Sequence, residues 1–452
     1  MKLYLWTRPA GLCAGLAGLV AVNAAAPLET PPFESNLPAL AEPEANWNWH
    51  SQSTAVVQGH GHFNAPYEGD RSLRNYNEIR ETISFDLTGG VRPWRGGELF
   101  ADVMSWQGYG LGNAMGVEAF PNGEAFRVGN KEPNFNIVRA FLRQTIGLGG
   151  ETETVADDSV NLAGKRDVSR LTITAGKISA KDLFDNNTYA NNPRTQFLDW
   201  SLMANNAWDY PADALGYMTG LALDLNQPRW AIRYGLFQTP QRSNGTAIDG
   251  SVLEAWAMVT EFEFRYATGD HPGTVRLLGY LNRANMGSYA DALADATRPA
   301  DVTLSRQYRC HFGVGLNWEQ AITRDLGAFS RLGWSDGETE AWHFNDVDRT
   351  VTGGLSLRGT AWHRPTDTFG IGGGLNGISR IHQTYLAAGG LGILAGDGRL
   401  SYGWEKFFET YYDFLITQQL HASLHYQFVA NPAFNSDRGP IHILGVRIHW
   451  EF

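Results

Sequence analysis

Two aspartates in "AWDYPADALGY", Asp209 and Asp213, are the carboxylates of this chain that most suggest chemistry. A pair of carboxylates is the machinery of glycoside hydrolysis, so an outer-membrane enzyme that acts on glycans is one alternative. No nucleophile with a neighbouring base accompanies the pair. We therefore expect a protein that is not an enzyme.

Two pairs of histidines, His60 with His62 and His421 with His425, could suggest a metal site. On a strand, residues four apart are separated by about 13 Å, too far to share one ion, and residues two apart by about 7 Å. The closer pair would still need further ligands. No glycine-rich stretch joins a strand to a helix as a phosphate-binding loop does. We predict neither a metal nor a cofactor.

Charged residues also recur at every second position of several apolar segments. In "AWAMVTEFEFRY" (255–266), Glu261, Glu263 and Arg265 alternate with large apolar side chains. This period of two indicates strands with one apolar and one polar face. The polar faces hold further charges, namely Arg233, Arg276, Arg309, Arg331, Arg358, Arg447, Glu319 and Glu451. They are either ion pairs that keep a wall rigid or a ladder of donors and acceptors suited to hydroxyl-rich solutes.

The strands that hold these residues are long, at about ten residues, which is the length that crosses a bilayer when tilted. Aromatic residues crowd their ends, and short turns alternate with long, polar, glycine-rich loops, as in outer-membrane barrels. A β-sandwich has shorter strands. We predict an all-β fold, a transmembrane antiparallel β-barrel of about sixteen strands, at approximately 52–60, 80–91, 97–106, 135–146, 170–178, 216–226, 229–238, 255–266, 273–283, 308–319, 325–335, 350–359, 368–377, 407–416, 419–429 and 441–452.

A barrel of sixteen strands leaves an aqueous channel, and its longest loop is the element best able to narrow that channel. Residues 179–217 form this third extracellular loop and contain Trp200, Trp208 and Tyr210. We expect the loop to fold inward, where aromatic rings could stack on sugar rings or could pack as a lid against the wall. The second loop adds Glu124 and Arg127 as polar partners.

The N-terminus predicts export. Lys2, Arg8 and a short apolar run resemble a signal peptide over residues 1–26, and the Pro- and Glu-rich segment 27–50 indicates a periplasmic linker before a barrel domain at 51–452. Removing the signal changes the net charge from −11 to about −13. That charge excludes nucleic acid as a partner. We expect the mature protein in the outer membrane of the cell.

Blocks spread over the chain resemble the carbohydrate-selective porins of the OprB type. They are "FPNGEAFR" (120–127), "DLFDNNTYANNPRTQFLDW" (182–200), "AWDYPADALGY" (207–217), "LLGYLNRANMGSY" (277–289), "LAAGGLGILAGDGRLSYGWE" (386–405) and "NPAFNSDRGPIHILGVRIHWEF" (431–452). The resemblance implies diffusion of small sugars through a barrel. It also implies an eyelet of charged and aromatic residues, matched here by Arg127, Arg194, Trp208, Asp209 and Asp213.

Together these observations predict a porin that favours small carbohydrates and contacts outer-membrane lipid. An export channel for an acidic polysaccharide is a further alternative, but the mixture of Arg and Glu favours neutral solutes. In related outer-membrane families a terminal aromatic marks the chain for the barrel-assembly machinery, a role that the resemblance implies for Phe452. A homo-oligomer is also considered. The connection 147–169 is longer than a periplasmic turn and has no counterpart in the resemblance.

Overall fold

The computed structural model describes residues 44–124, 129–295, 299–344 and 346–452, and its main feature is one closed antiparallel barrel of sixteen strands. This confirms the predicted fold class. The barrel strands are β1 (Trp47–His60), β2 (Glu78–Trp94), β3 (Gly97–Gly108), β4 (Asn130–Gly147), β7 (Arg170–Ile178), β8 (Met218–Asn226), β9 (Trp230–Phe237), β10 (Trp256–Thr268), β11 (His271–Met286), β12 (Gln307–Ala321), β13 (Leu326–Ser335), β14 (Arg349–Gly359), β15 (Arg364–Gly377), β16 (Glu405–Thr417), β17 (Leu420–Ala430) and β18 (Ile441–Glu451).

The barrel closes where the first strand pairs with the last. β1 lies antiparallel to β18, with Ala55 opposite Ile448 and Gln52 opposite Glu451. The terminal Phe452 extends this seam, because its N–H donates to the Ser51 carbonyl and its carbonyl accepts from the Ser51 N–H. Closure leaves none of the sixteen described barrel strands with an unpaired edge, as a structure that spans lipid requires.

The closing strand shows how each strand divides its side chains between two faces. Val446 and Ile448 are 44% and 42% exposed on the outer face, whereas Arg447 and His449 are 0% and 1% exposed on the inner face. The same alternation continues around the barrel. An apolar exterior against lipid and a polar interior is the arrangement of outer-membrane barrels.

The connections fall into two classes, one at each end of the barrel. At the periplasmic end most are short, such as residues 269–270 between β10 and β11. The exception is 148–169, which contains a separate hairpin of β5 (Thr152–Val155) and β6 (Gly164–Asp167). β1 begins at Trp47 and takes in the end of the segment 27–50. The predicted signal peptide and most of that segment lie outside the described residues.

The extracellular loops contain three short helices, α1 (Trp200–Met203), α2 (Tyr289–Ala294) and α3 (Arg380–Ala387). They also contain 3₁₀ turns at 111–113, 180–182, 302–305 and 432–434. A further 3₁₀ turn, at 360–362, lies at the periplasmic end. Among the described residues no helix has the length and apolar character to cross a bilayer. α1 belongs to the third loop, which enters the barrel.

Candidate functional site

The third loop, residues 179–217, is attached to the inner wall through its own backbone. Glutamates on the wall accept its N–H groups: Glu261 from Asp185 at 2.7 Å and Glu319 from Thr188 at 2.6 Å. Glu409 accepts two more, from residues 198 and 199, at 2.9 and 2.8 Å. Three of these four donors belong to the buried residues Asp185, Leu198 and Asp199, and a buried N–H without a partner is costly. The wall carboxylates therefore determine the path of the loop.

Wall arginines bind the carbonyl groups of the same loop. Arg331, fully buried on β13, donates to the carbonyls of Leu202 and Ala190 at 2.6 and 2.8 Å. Arg447 on β18 donates to the carbonyls of Pro193 and Gln196, both at 2.7 Å. The planar guanidinium presents several donors in a fixed geometry, so one side chain can hold two points of a loop.

Asp185 is the central charge of this attachment. Its carboxylate lies 3.1 Å from Arg331 and 3.2 Å from Lys181, and it also accepts the Asn205 N–H. Burial acts to raise the pKa of Asp185, but the two cations outweigh it and hold the pKa at about 2. The loop is consequently fixed on one side of the lumen by an ionised carboxylate.

The loop tip crosses to the opposite wall through Arg194. The Arg194 Nε atom lies 3.0 Å from Glu124 of the second loop, and its guanidinium also pairs with Asp86 on β2. Glu124 accepts the Ser84 hydroxyl at 2.7 Å. Of the predicted constriction residues, Glu124 and Arg194 are thus brought together, whereas Arg127 lies outside the described residues.

A second arginine, Arg139 on β4, stands beside this group. It binds Asp182 of the third loop through two bonds of 2.8 Å and Asp102 on β3 through one of 2.6 Å. Its guanidinium also lies over the Tyr217 ring, 5.0 Å from the centroid. We call Asp86, Asp102, Glu124, Arg139, Asp182 and Arg194 the constriction cluster.

A β-bulge aims Arg139 at the cluster. The β3–β4 register shifts between Asp102 and Val103, so that residue 138 has no partner of its own. Val138 is fully buried and the side chain of the next residue, Arg139, is only 16% exposed, so two consecutive side chains point inward at this point. Bulges commonly redirect a side chain beside a functional site. The sequence did not single out Arg139, Asp86, Asp102 or Asp182 as site residues. Of these, Asp86 could have been found, because it lies at a polar position in an alternating strand.

The predicted aromatic residues of the third loop gather in one cluster beside the second loop (109–129) and the sixth loop (336–348). Trp200 lies 5.6 Å from Tyr210 and 4.5 Å from Phe344, measured between ring centroids, and Trp208 lies 5.7 Å from Tyr210. Trp200, Trp208 and Tyr210 are each about 95% buried or more. The three rings therefore pack among other side chains and leave little surface open to the lumen.

Asp209 and Asp213 have separate environments. Asp209 accepts the N–H groups of Trp342 and His343 in the sixth loop, at 3.2 and 2.8 Å. Burial acts to raise the pKa of Asp209, but the neighbouring His343 outweighs it and the pKa lies below its ordinary value. Asp213 accepts two N–H groups within its own loop and lies 3.5 Å from Lys177. Asp209 thus connects the third loop to the sixth loop through hydrogen bonds.

The remaining predicted lumen charges form ion pairs along the wall. Arg233 and Arg276 lie 3.0 and 2.8 Å from Glu263, which also pairs with Arg265. Arg309, nearer the outside, pairs with the exposed Asp291. Arg358 is buried near the periplasmic end of β14. Glu451 lies 3.5 Å from His449. These contacts favour the interpretation of paired charges for most of the list.

Three of the four histidines considered as metal ligands each face a single carboxylate, and His62 faces the side-chain amide of Asn75. His60 faces Glu78 at 3.4 Å, and His425 faces Glu409 at 2.8 Å. Within the described ranges, no group of three or more His, Cys, Asp or Glu side chains could hold a metal ion.

The family of this chain follows from its sequence over most of its length. Residues 70–452 match the model of the OprB family, described as carbohydrate-selective porins. The chain belongs to this family. This porin is accordingly an outer-membrane protein, and its family and fold are those of a channel rather than an enzyme.

One solved structure supports the fold of this porin, and two others are less similar. The high-pH structure of Pseudomonas putida OprB is similar, with a TM-score of 0.68 at 17% sequence identity over 90% of this chain and 94% of the other. The low-pH structure of the same protein gives 0.49 at 12% identity, over 90% and 93%. The DcaP channel of Acinetobacter baumannii also gives 0.49, at 9% identity over 91% and 100%. No match was found among curated protein sequences.

Proposed function

We propose that this porin lets small, uncharged sugars diffuse into the cell through a lumen narrowed by the constriction cluster. The observation that supports this most strongly is the bridge that Arg194 makes from the third loop to Asp86 on the facing wall. The bridge reduces the open cross-section at a point where two guanidinium groups stand among four carboxylates.

The chemistry of the cluster suits solutes rich in hydroxyl groups. A sugar hydroxyl donates one hydrogen bond and accepts others, so it can replace the partners of either charge in turn. Arg139 and Arg194 supply donors, and Asp86, Asp102, Glu124 and Asp182 supply acceptors. The four carboxylates outnumber the two guanidinium groups, so the cluster disfavours an anionic solute and leaves a neutral one unaffected.

The loop aromatics have a supporting part in this proposal. Trp200, Trp208 and Tyr210 stiffen the loop through their mutual packing, which keeps Arg194 in position. The predicted stacking of the loop's aromatic rings on sugar stays a proposal, and it requires these buried rings to become exposed.

Liposome swelling with purified protein tests this function. Vesicles that contain the protein should swell in isotonic glucose faster than in isotonic maltose, and no new sugar product should form in the medium. Release of a product would instead support the glycan enzyme. If the swelling rates for glucose and maltose differed only as much as their rates of free diffusion do, the lumen would not be narrowed enough to select between them, and the proposal would be refuted.

A further inference from the structure

The periplasmic connection 148–169 extends along the rim of the barrel. It leaves β4 and returns to β7, yet its middle reaches β1, three strands further round the wall. Asp157 accepts from Asn48 Nδ2 at 2.9 Å and lies 3.0 Å from His50 Nε2. At a spacing of about 4.8 Å between strands, the segment covers roughly 14 Å of the rim.

The segment is packed as part of the barrel interior. Leu162 and Ala163 are each 1% exposed, and Leu162 belongs to the same apolar cluster as Phe141 of the wall. The Ala163 carbonyl accepts the Ala45 N–H at 3.0 Å, and the Val160 carbonyl accepts from Arg143 at 2.8 Å. Buried side chains and paired backbone groups of this kind indicate a fixed structure rather than a loose loop.

A cavity of about 230 Å³ lies between this segment and the third loop. Its roof includes Asp182 and Asn186 of the third loop, and its floor includes Asn161 and Arg166 of the connection. β4, β7, β8 and β9 provide the wall. The cavity is smaller than the roughly 300–1,000 Å³ of sites for drug-sized ligands, so it suits a molecule with one ring.

The lining combines the groups that recognise a sugar. Arg143, Arg166, Arg170 and Arg233 present guanidinium donors, Asp182 and Asp224 present acceptors, and Phe141, Ile178 and Leu183 add apolar surface. Donors and acceptors fix the hydroxyl groups of a ligand, while apolar surface covers its C–H face. Arg166 and Arg170 share a single carboxylate, Glu153, at 2.8 and 2.9 Å, so each has donors beyond that pair.

We propose that this cavity is a second sugar site, which binds one neutral monosaccharide ring, and that the connection 148–169 forms its periplasmic gate. This inference rests on the proposed passage of sugars and adds a step after the constriction cluster. A solute that has passed the cluster pauses above the connection before release. The gate excludes larger sugars a second time.

Two variants separate the binding site from the gate. Arg166→Ala removes a donor from the floor, and its partner Glu153 is 38% exposed, so little stability depends on the pair. Lys165→Ala is the matched control, because this exposed neighbour is not part of the cavity lining. Deletion of 151–168 leaves Leu148, Gly149, Gly150 and Ser169 as a tight turn, since the Leu148 N–H already bonds the Ser169 carbonyl.

Single-channel recordings with glucose and maltose added on the periplasmic side provide the test. We expect Arg166→Ala to weaken the glucose-dependent current noise, with a half-saturating concentration raised on the order of tenfold. Lys165→Ala should match the wild type, and the deletion should raise both conductance and maltose permeation.

The outcomes distinguish the two proposals. A wild-type channel that responds to glucose, with Arg166→Ala and the deletion both unchanged, overturns the second site and leaves the constriction standing. A wild-type channel with no response to either sugar overturns the proposed function as well.

Discussion

Replacement of Arg194 by alanine removes the bridge between the third loop and the facing wall. Its two partners, Asp86 and Glu124, have side chains only 2% and 1% exposed, so the variant removes the ion-pair partner of two buried carboxylates. We expect the loop tip to detach, because separation lets water reach both groups.

The size of the effect follows from burial. Removing one member of a buried ion pair costs about 3–5 kcal/mol, and we take the lower end because Arg194 itself remains partly accessible to water, at 14%. About 3 kcal/mol shifts the equilibrium between attached and detached tip by roughly 100-fold. Arg447 still binds the carbonyls of Pro193 and Gln196, so the loop should stay in the lumen and the channel should widen rather than lose its third loop.

Planar-bilayer conductance and the swelling rate in maltose relative to glucose measure this change. Both should rise in Arg194→Ala. Arg309→Ala serves as the control, because its pair with the 55% exposed Asp291 is worth about 0–1 kcal/mol and lies away from the constriction cluster. Arg194→Lys keeps the positive charge but loses the planar, forked guanidinium, so its conductance and sugar ratio should lie between those of the wild type and Arg194→Ala. An assembled Arg194→Ala channel with wild-type conductance and sugar ratio would refute the reasoning.

Three further predictions concern the attachment of the loops and the chain terminus. Glu409→Ala should lower the thermal unfolding temperature more than the exposed Glu254→Ala does, because two N–H groups of the third loop lose their acceptor; equal temperatures would contradict this. Lowering the pH from 6 to 2 should increase current flicker. The folded pKa of Asp185 is about 2 and its unfolded value about 3.9, so its stabilising contribution is complete above about pH 4 and is lost as the pH falls through 2. A flicker rate independent of pH would argue against this attachment. Phe452→Ala keeps the backbone bonds to Ser51, so a fall in membrane-inserted protein on immunoblots would identify the aromatic ring as the assembly signal, and normal levels would not.

The barrel could be predicted from sequence because each strand shows its pattern within its own segment. Each lipid-crossing strand must alternate apolar and polar side chains, so segments such as 255–266 and 441–452 show strand, face and length at once. Short turns and long loops then fixed the number of strands and the side on which each loop lies.

The constriction cluster could be predicted only in part, because its members come from distant segments. Arg194 and Glu124 stood out in loops rich in polar residues. Arg139 did not, because a bulge beside it interrupts the alternation, and such a register shift depends on the pairing with β3. The partners of the wall charges were also hidden, since whether Glu261 or Glu409 faces water or a loop N–H depends on how the third loop packs.

The contacts of the connection 148–169 could not be predicted from sequence for the same reason. Its length was visible in the sequence, but its contacts with Asn48 and His50 on β1 appear only once the barrel has closed. A segment more than a hundred residues away in the chain then becomes its neighbour.

Planar-bilayer conductance of the purified porin, titrated with a panel of mono- and disaccharides, tests the central claim most directly. We predict a water-filled channel whose ionic current falls and saturates as glucose is added, with a weaker effect of maltose. A current that follows only the viscosity of the solution, alike for every sugar, would contradict a channel that favours small carbohydrates.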